Sequence, residues 1–191
     1  EASLDKDVKR RDFTCNALAY NPLESELHDY VGGLDDIHHQ CLRVVGDAEQ
    51  RFSEDSLRVW RCCRFLAQLQ FTCEPKTWEA LCECSPRLEM PAAERVTQEL
   101  QKLMSATKPS LGLQALQESG LGERVLEGYS AIKKEIFKAC DGLPKTSRWA
   151  HLLTAIDEDK RFQYLRFSKK EKNWIQTLIS VEGDSEKACF S

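Results

Sequence analysis

A basic run followed by an acid and an amide stands near the start of the chain. Its letters are Lys9-Arg10-Arg11-Asp12-Phe13-Thr14-Cys15-Asn16-Ala17, and we predict a short helix that begins at Asp12. Guanidinium groups beside the N–H groups of a helix amino terminus form a favourable place for phosphate. The alternative is a solvated charge cluster in which Asp12 is an ordinary helix-start acid, and composition alone leaves both interpretations open.

A second cluster carries a charge at every third residue: Asp55, Arg58, Arg61 and Arg64. Residues three apart lie near one another on a helix, so the spacing predicts a slowly drifting row along one side. A carboxylate accepts and a guanidinium donates, so Asp55 and Arg58 could match the Watson–Crick edge of a base. Arg61 and Arg64 would extend the row towards a polyphosphate. The alternative is an ion-paired helix face in water, worth roughly a few tenths of a kcal/mol.

Two kinds of element have to position these clusters. Strand patterns occupy residues 18–21, 27–31 and 42–45, whereas from Ser53 onward the apolar spacing is helical throughout. Two or three short strands cannot bury a sheet face by themselves. We therefore predict an α+β fold that is predominantly α-helical, with residues 1–47 as the end of a larger α+β domain.

Composition excludes several classes of protein. The chain has 191 residues with 41% hydrophobic and 30% charged residues, and it contains neither a signal peptide nor an apolar run that could span a bilayer. A net charge of -4 argues against a protein that coats nucleic acid through bulk charge, but it allows a local basic cleft. We expect a cytoplasmic protein with no membrane partner.

Nine cysteines are many for this length, and the number is odd. Zinc is one interpretation, because Cys82-x-Cys84 lies near Cys73, with His38 and His39 upstream. However, the pair falls in a helical stretch, where residues two apart point to different faces. We favour reduced, mostly buried thiols that act as small hydrophobic residues, and we predict no metal site.

Several motifs together carry a family resemblance. Residues 10–17 resemble the RRDFTxNA motif of bacterial-type (class II) tRNA nucleotidyltransferases, the CCA-adding enzymes, and of the related bacterial poly(A) polymerases. Residues 29–36 resemble the hinge segment of that family, and residues 42–58 resemble its R-x-V-G-D…RF-x-EDxxR stretch. Glu94-Arg95 matches its ER pair. The resemblance is specific over residues 4–104 and weakens to a helical pattern beyond them.

The resemblance implies a nucleotide site. Arg11 would contact the ribose and phosphates of the incoming nucleotide, with Asp12 and Asn16 shaping that corner. Asp55 and Arg58 would pair with the base of CTP or ATP as a protein template. The remaining implied residues are Arg61 and Arg64, which complete the pocket, and Glu54, Gly32, Gly33, Glu94 and Arg95, which support it, the two glycines as a hinge.

The resemblance also implies a domain order and an activity. Residues 1–47 would be the carboxyl-terminal part of a nucleotidyltransferase head, residues 48–105 a helical neck with the templating helix, and residues 106–191 an RNA-binding helical body. The parent enzyme would transfer CMP and AMP from CTP and ATP to the tRNA 3′ end, using Mg²⁺. Lys169, Lys170 and Lys172 would contact the tRNA backbone, the alternative being an ordinary solvated helix face.

The catalytic carboxylates of the family precede the RRDFTxNA motif. Asp5-Lys6-Asp7 has the letters of a DxD pair but follows no Gly-rich loop, so we assign no catalytic residue and no Mg²⁺ ligand to this chain. We expect a fragment that binds nucleotide and does not catalyse alone. A poly(A) polymerase or an enzyme adding only CC or only A fits the same motifs. Outside the enzymes, the rival is a non-catalytic helical RNA-binding or scaffold protein.

Overall fold

The computed structural model describes residues 4–188, and the side chains of residues 4–181. The fold is α+β and predominantly α-helical, as the sequence predicted. No helix in this described part is both long and apolar enough to cross a membrane.

The amino-terminal part contains short elements. They are α1 (Leu4–Val8), a 3-10 turn (Thr14–Asn16), β1 (Ala19–Asn21), β2 (Glu26–His28), α2 (Gly33–His38) and β3 (Cys41–Leu42). The predicted helix from Asp12 is only the 3-10 turn, because backbone groups on both sides of Phe13 bond to residues 43–45 instead of to a helix. Helix α1 was missed by the sequence analysis.

The rest of the described chain is helical apart from one short strand. The elements are α3 (Ala48–Glu54), α4 (Leu57–Leu69), β4 (Thr72–Cys73), α5 (Pro75–Cys84), α6 (Ala93–Met104), α7 (Pro109–Glu118), 3-10 turns at Gly122–Arg124 and Tyr129–Ala131, α8 (Lys134–Gly142), α9 (Arg148–Thr154) and α10 (Lys169–Ala188). Helices α5 and α7 begin at prolines, which have a suitable φ and lack an N–H that the first turn leaves unbonded.

Two small sheets tie these parts together. Strands β1 and β2 form an antiparallel hairpin in which Tyr20 faces Leu27. Strand β3 pairs in parallel with β4, with Leu42 opposite Cys73, so the amino-terminal part is bonded to the segment that follows α4. This strand pair fixes the amino-terminal part next to the end of α4.

Helix α4 lies at the centre of the main core. Trp60 and Cys63 are fully buried on it, and the helix packs against α6 and α7. Gly112 on α7 permits this close approach, since a Cβ there would lie 2.5 Å from the Cys63 carbonyl oxygen. The middle of α4 is therefore held by packing on two sides, against α6 and α7.

The eight cysteines in the described residues are unpaired thiols, and Cys189 lies outside them. Cys62, Cys63, Cys84 and Cys140 are buried, and the others are half-buried. Burial raises the pKa of Cys15 and of Cys140 to about 11, so both thiols stay protonated at neutral pH. Protonated thiols of this kind are poor metal ligands.

Candidate nucleotide-binding site

A cleft of about 300 Å³ opens where the amino-terminal segment meets the start of α4. Its lining residues are Arg11, Asp12, Asn16, Asp55, Leu57, Arg58, Arg61 and Arg95. Six of these are residues that the sequence predicted for nucleotide binding. The structure therefore brings the two sequence clusters, forty residues apart along the chain, to one place.

Backbone pairing holds the first cluster at the cleft. The Val45 N–H donates to the Asp12 carbonyl at 3.0 Å, and the Thr14 N–H donates to the Arg43 carbonyl at 2.9 Å. Phe13 between them is fully buried and its ring meets that of Phe65 edge to face, 5.3 Å between centroids. Buried Phe13 thus anchors this segment, and the nearby residues Asp12 and Asn16 line the cleft.

An ion pair joins the two clusters across the cleft. Arg61 Nε donates to Asp12 Oδ2 at 2.6 Å, and Arg61 Nη2 contacts the same oxygen. The Asp12 residue is 8% exposed, and its other oxygen accepts from the Phe13 N–H. Arg11 is exposed, and within the described residues its ion-pair partner is Asp7 on α1, at 3.3 Å, so its guanidinium can reorient towards an anion.

Asp55 sits between two helices, at the end of α3 and just before α4. Its Oδ1 accepts from the Leu57 N–H at 3.0 Å, and its Oδ2 lies 3.7 Å from Arg95 Nη2. One carboxylate oxygen therefore fixes the side chain, while the contact of the other is longer than a hydrogen bond. Arg95, predicted only as support, is also a lining residue.

Arg58 is held more firmly than its neighbours. Its Nη1 donates to the Arg51 carbonyl at 2.8 Å and to Glu54 Oε2 at 3.1 Å, and its Nη2 donates to the Arg10 carbonyl at 3.2 Å. A guanidinium has five N–H donors. Two donors thus remain for a ligand, on a side chain whose position is already set by both parts of the chain.

Glu54 lies behind the cleft and supports the arginines. Its carboxylate accepts from Arg51 at 2.7 Å, from Arg58 and from Gln50. Hydrogen bonds from Arg51 and then Arg58 lower the pKa of Glu54, which therefore stays ionised. The supporting role of Glu54 in nucleotide binding stays a prediction.

Arg64 does not line the cleft. It is buried, donates to Glu99 Oε2 on α6 at 2.5 Å and lies 3.9 Å over the Phe65 ring. Each three-residue step on an α-helix turns the side chain by about 60°, so two steps carry Arg64 about 120° away from Arg58. The row drifts off the cleft at this point, and a nucleotide contact for Arg64 stays a prediction.

The Gly32–Gly33 turn is tightly held. Asp29 accepts hydrogen bonds from four successive N–H groups, those of residues 31–34, at 2.9–3.0 Å. Burial opposes ionisation of Asp29, but these bonds outweigh it and lower its pKa. Gly32 has φ +76°, and a Cβ at Gly33 would overlap the Thr14 carbonyl. The glycines thus permit a fixed close approach of α2 to the segment that carries Asp12 and Asn16, and a hinge at this turn stays a prediction.

The remaining predicted residues lie elsewhere. Glu94 is exposed and 4.0 Å from Arg166, at the start of α6. Lys169 and Lys170 line an open groove on α10, whereas the Lys172 ammonium lies 5.7 Å from the centre of the Phe162 ring. These lysines follow the cleft residues by more than seventy positions in the sequence, and none of them is part of the cleft lining.

The described residues do not fit a two-Mg²⁺ centre. Asp5 and Asp7 stand on α1 and pair with Lys9 and Arg11, which follow this helix, so each carboxylate already has a cationic partner. In the described part of the chain, one group of three metal-ligating side chains has its ligand atoms within 4.8 Å: the hairpin residues Glu24, Glu26 and His28. No cysteine belongs to it.

A larger groove of about 600 Å³ lies between α3 and α5. Its lining includes Asp47, Glu49, Glu74, Glu79 and Glu83, against Arg43 and Lys76. This charge repels a triphosphate. The larger volume therefore does not make this groove the nucleotide site, and the arginine-lined cleft is the better candidate.

Leu57 was not predicted as a lining residue of the arginine-lined cleft, because an apolar residue at a helix start is ordinarily assigned to the core.

Two family models match parts of the chain. "Poly A polymerase head domain" matches residues 1–43, and "Probable RNA and SrmB-binding site of polymerase A" matches residues 70–133. The CCA-adding enzyme of Leuconostoc mesenteroides is 38% identical over 185 residues, which is 94% of this chain and 46% of the relative. That of Bacillus licheniformis is 42% identical over 137 residues, which is 72% of this chain and 34% of the relative.

The structure of the Bacillus stearothermophilus CCA-adding enzyme in complex with CTP matches 96% of this chain and 48% of its own, with a TM-score of 0.85 and 30% identity. This chain spans about half the length of the relatives it matches. A match to the polymerase head domain, followed by a match to the RNA-binding region of polymerase A, assigns the chain to the class of RNA nucleotidyltransferases. Within it, the chain belongs to the family of CCA-adding enzymes and bacterial poly(A) polymerases.

Proposed function

We propose that this chain is the nucleotide-selecting and tRNA-holding part of a CCA-adding enzyme, which transfers CMP and AMP from CTP and ATP to the tRNA 3′ end. Residues 1–47 belong to the head, residues 48–105 form the neck and residues 106–191 form the body. Support comes from relatives that are named CCA-adding enzymes and from the head-domain match at residues 1–43. Its compartment is the cytoplasm.

The observation that carries the proposal is the cleft in which Asp55 and Arg58 stand together. Cytosine and adenine both present an amino donor beside a ring-nitrogen acceptor on the Watson–Crick edge, whereas uracil and guanine present a carbonyl in place of that amine. Asp55 Oδ2, which faces Arg95 across 3.7 Å, accepts from the amine, and a spare Arg58 N–H donates to the ring nitrogen. This pair selects CTP and ATP together.

Asp55 and Arg58 together form the base reader, and the arginines around this pair receive the triphosphate. Arg61 and the exposed Arg11 flank the cleft, and Asn16 supplies an amide at its edge. Phosphate oxygens replace Asp12 and Asp7 as partners of these guanidinium groups, in charge-assisted hydrogen bonds. In the parent enzyme Mg²⁺ would polarise the triphosphate, and the described residues do not fit its ligand set.

Binding of the four nucleoside triphosphates to the chain tests the base reader. Isothermal titration should give tighter binding of CTP and ATP than of UTP and GTP. Asp55→Ala should reduce this preference by about 1–3 kcal/mol, roughly five- to a hundredfold, because one base partner is lost. The matched control is Glu49→Ala, which removes an exposed α3 carboxylate outside the cleft. Unchanged selectivity in Asp55→Ala contradicts the templating role.

A fusion of this chain to the amino-terminal half of the Leuconostoc mesenteroides relative tests the activity. Sequencing of the extended tRNA distinguishes the candidates within the family: addition of CCA supports the proposal, a run of A indicates a poly(A) polymerase, and CC or A alone indicates a partial enzyme. A fusion that binds tRNA but extends nothing, from a chain that binds no nucleotide, indicates the scaffold alternative.

The lysines of α10 have a separate test. Phosphate contacts make affinity fall with salt, by about 0.7–0.9 in the log–log slope for each contact. Replacing Lys169, Lys170 and Lys172 with Ala should weaken tRNA binding and flatten that slope, while CTP binding at the distant cleft is unchanged. An unchanged slope moves the RNA surface to another part of the chain.

A further inference from the structure

A tryptophan on α10 is unusually exposed. The Trp174 residue is 53% exposed, although Ile175 beside it is buried and attaches the helix to the core. The indole lines two grooves, one of about 380 Å³ that runs towards α6 and α9, and one of about 600 Å³ along Lys169 and Lys170. It therefore forms a wall that the two grooves share, open to solvent on the α10 surface.

The exposed indole is fixed in place. Trp174 Nε1 donates to the Thr146 carbonyl at 3.3 Å, which ties the ring to the loop before α9. The start of α10 is held by Glu171, which accepts from Gln101 on α6 at 2.9 Å and from the Ser168 N–H at 2.8 Å. A ring that is already ordered loses little conformational entropy when a flat partner stacks on it.

The surroundings of the indole are cationic. Lys145 lines the inner groove, and Lys169 and Lys170 line the outer one. Among the described residues, none of these three ammonium groups has an ion-pair partner. Glu171 is the one acid in the described lining of either groove, and both of its oxygens accept hydrogen bonds. An anionic ligand with a flat apolar part complements this surface.

We propose that Trp174 is a stacking platform for an unpaired base of the bound RNA, with Lys145, Lys169 and Lys170 on the phosphates that flank it. The proposal rests on the RNA-binding role proposed above and assigns it a specific contact. Stacking requires a base that is free of its duplex, and aromatic platforms accept such bases with little regard to sequence. The surface thus distinguishes RNA with exposed bases from a plain duplex.

Binding of a tRNA transcript to the chain tests the platform. Trp174→Ala should weaken binding about five- to a hundredfold, the usual loss for one stacked base. The salt dependence should keep its slope, since no charge is removed. Trp174→Phe is the matched control: it also loses the bond to Thr146 but keeps a flat ring, so it should retain most of the affinity. A blunt-ended RNA duplex should bind both variants equally.

Three results overturn the platform. They are equal tRNA affinity of Trp174→Ala and the unaltered chain, equal losses in the Ala and Phe variants, and equal sensitivity of duplex and tRNA to Trp174→Ala. Tight binding of a poly-glutamate peptide with no binding of tRNA also overturns it, in favour of an acidic protein partner. CTP titration of the same samples tests nucleotide binding, and so the proposed function, independently of the platform. The nucleotide cleft shares no residue with the Trp174 surface.

Discussion

The buried Arg64–Glu99 pair separates a structural role from a nucleotide-binding role. Both side chains are nearly inaccessible, 8% and 5% exposed, and the pair joins α4 to α6. Removing one partner of such a pair costs about 3–5 kcal/mol, because the other charge stays buried. In a chain of this length each kcal/mol lowers Tm by about 2–4 °C, so Glu99→Gln should lower Tm by about 6–20 °C.

Calorimetry with a nucleotide titration gives the decisive comparison. Glu94→Gln, at an exposed position on the same helix, is the control and should change Tm by less than about 2 °C. Arg64→Met should lower Tm and leave the CTP affinity of the folded protein unchanged. If Arg64→Met instead weakens CTP binding with little change in Tm, the structural reasoning is refuted and Arg64 belongs to the nucleotide site.

The pH dependence follows from the same pair. Burial acts to raise the pKa of Glu99, but hydrogen bonds from Lys102 and Arg64 outweigh it and lower the pKa below 4.5. A lowered folded-state pKa gives stability that is complete above about 4.5 and is lost as pH falls through the folded value. The Tm difference between the unaltered chain and Glu99→Gln should therefore be large at pH 7 and shrink in acid. A Tm difference that stays constant from pH 7 to pH 3 contradicts a lowered pKa of Glu99 in the folded state.

Three further outcomes test the fold. Arg148→Met should lower Tm by about 5 °C or more, since it leaves the buried carbonyls of Met104 and Ala106 without their 2.7 Å donor; a loss under about 2 °C would contradict this. Metal analysis should find no stoichiometric zinc, and a chelator should not change Tm, whereas one zinc per chain would overturn the assignment of the thiols. Asp29→Ala should speed hydrogen exchange of the N–H groups of residues 31–34, and unchanged exchange would remove Asp29 as their acceptor.

Local signals predicted much of this fold. Helices α5 and α7 begin at Pro75 and Pro109, and the β1–β2 hairpin turns at Asn21-Pro22, because these residues restrict φ or favour turns by themselves. Strand β4 and its parallel pairing with β3 were missed, since two residues carry no periodicity and the partner lies about thirty positions away. Helix α3 lies within the predicted helical neck, but its seven residues bury one side chain, Phe52, so no apolar periodicity marks its bounds.

The cleft was predictable from residue types, but its limits were not. Spacing by threes predicted Asp55, Arg58 and Arg61 on one side of a helix. The cleft contains all three, but Asp55 is not helical, because it ends α3 with an extended backbone before α4 begins at Leu57. The same spacing could not tell where the row leaves the surface, because that depends on Glu99, a partner on another helix. In the same way, sequence does not distinguish exposed Trp174 from Trp149, whose ring packs on Phe167.

The Asp12–Arg61 pair gives the cleft an internal counter-ion. Without nucleotide, the guanidinium is already neutralised by a carboxylate that is mostly hidden from water. An arriving triphosphate therefore exchanges one anionic partner for another, and only the difference between the two attractions contributes to binding. For the proposed function, a departing pyrophosphate would meet the reverse exchange, because Asp12 is the partner to which Arg61 returns. An internal counter-ion therefore lowers the affinity of the cleft for triphosphate and for pyrophosphate alike.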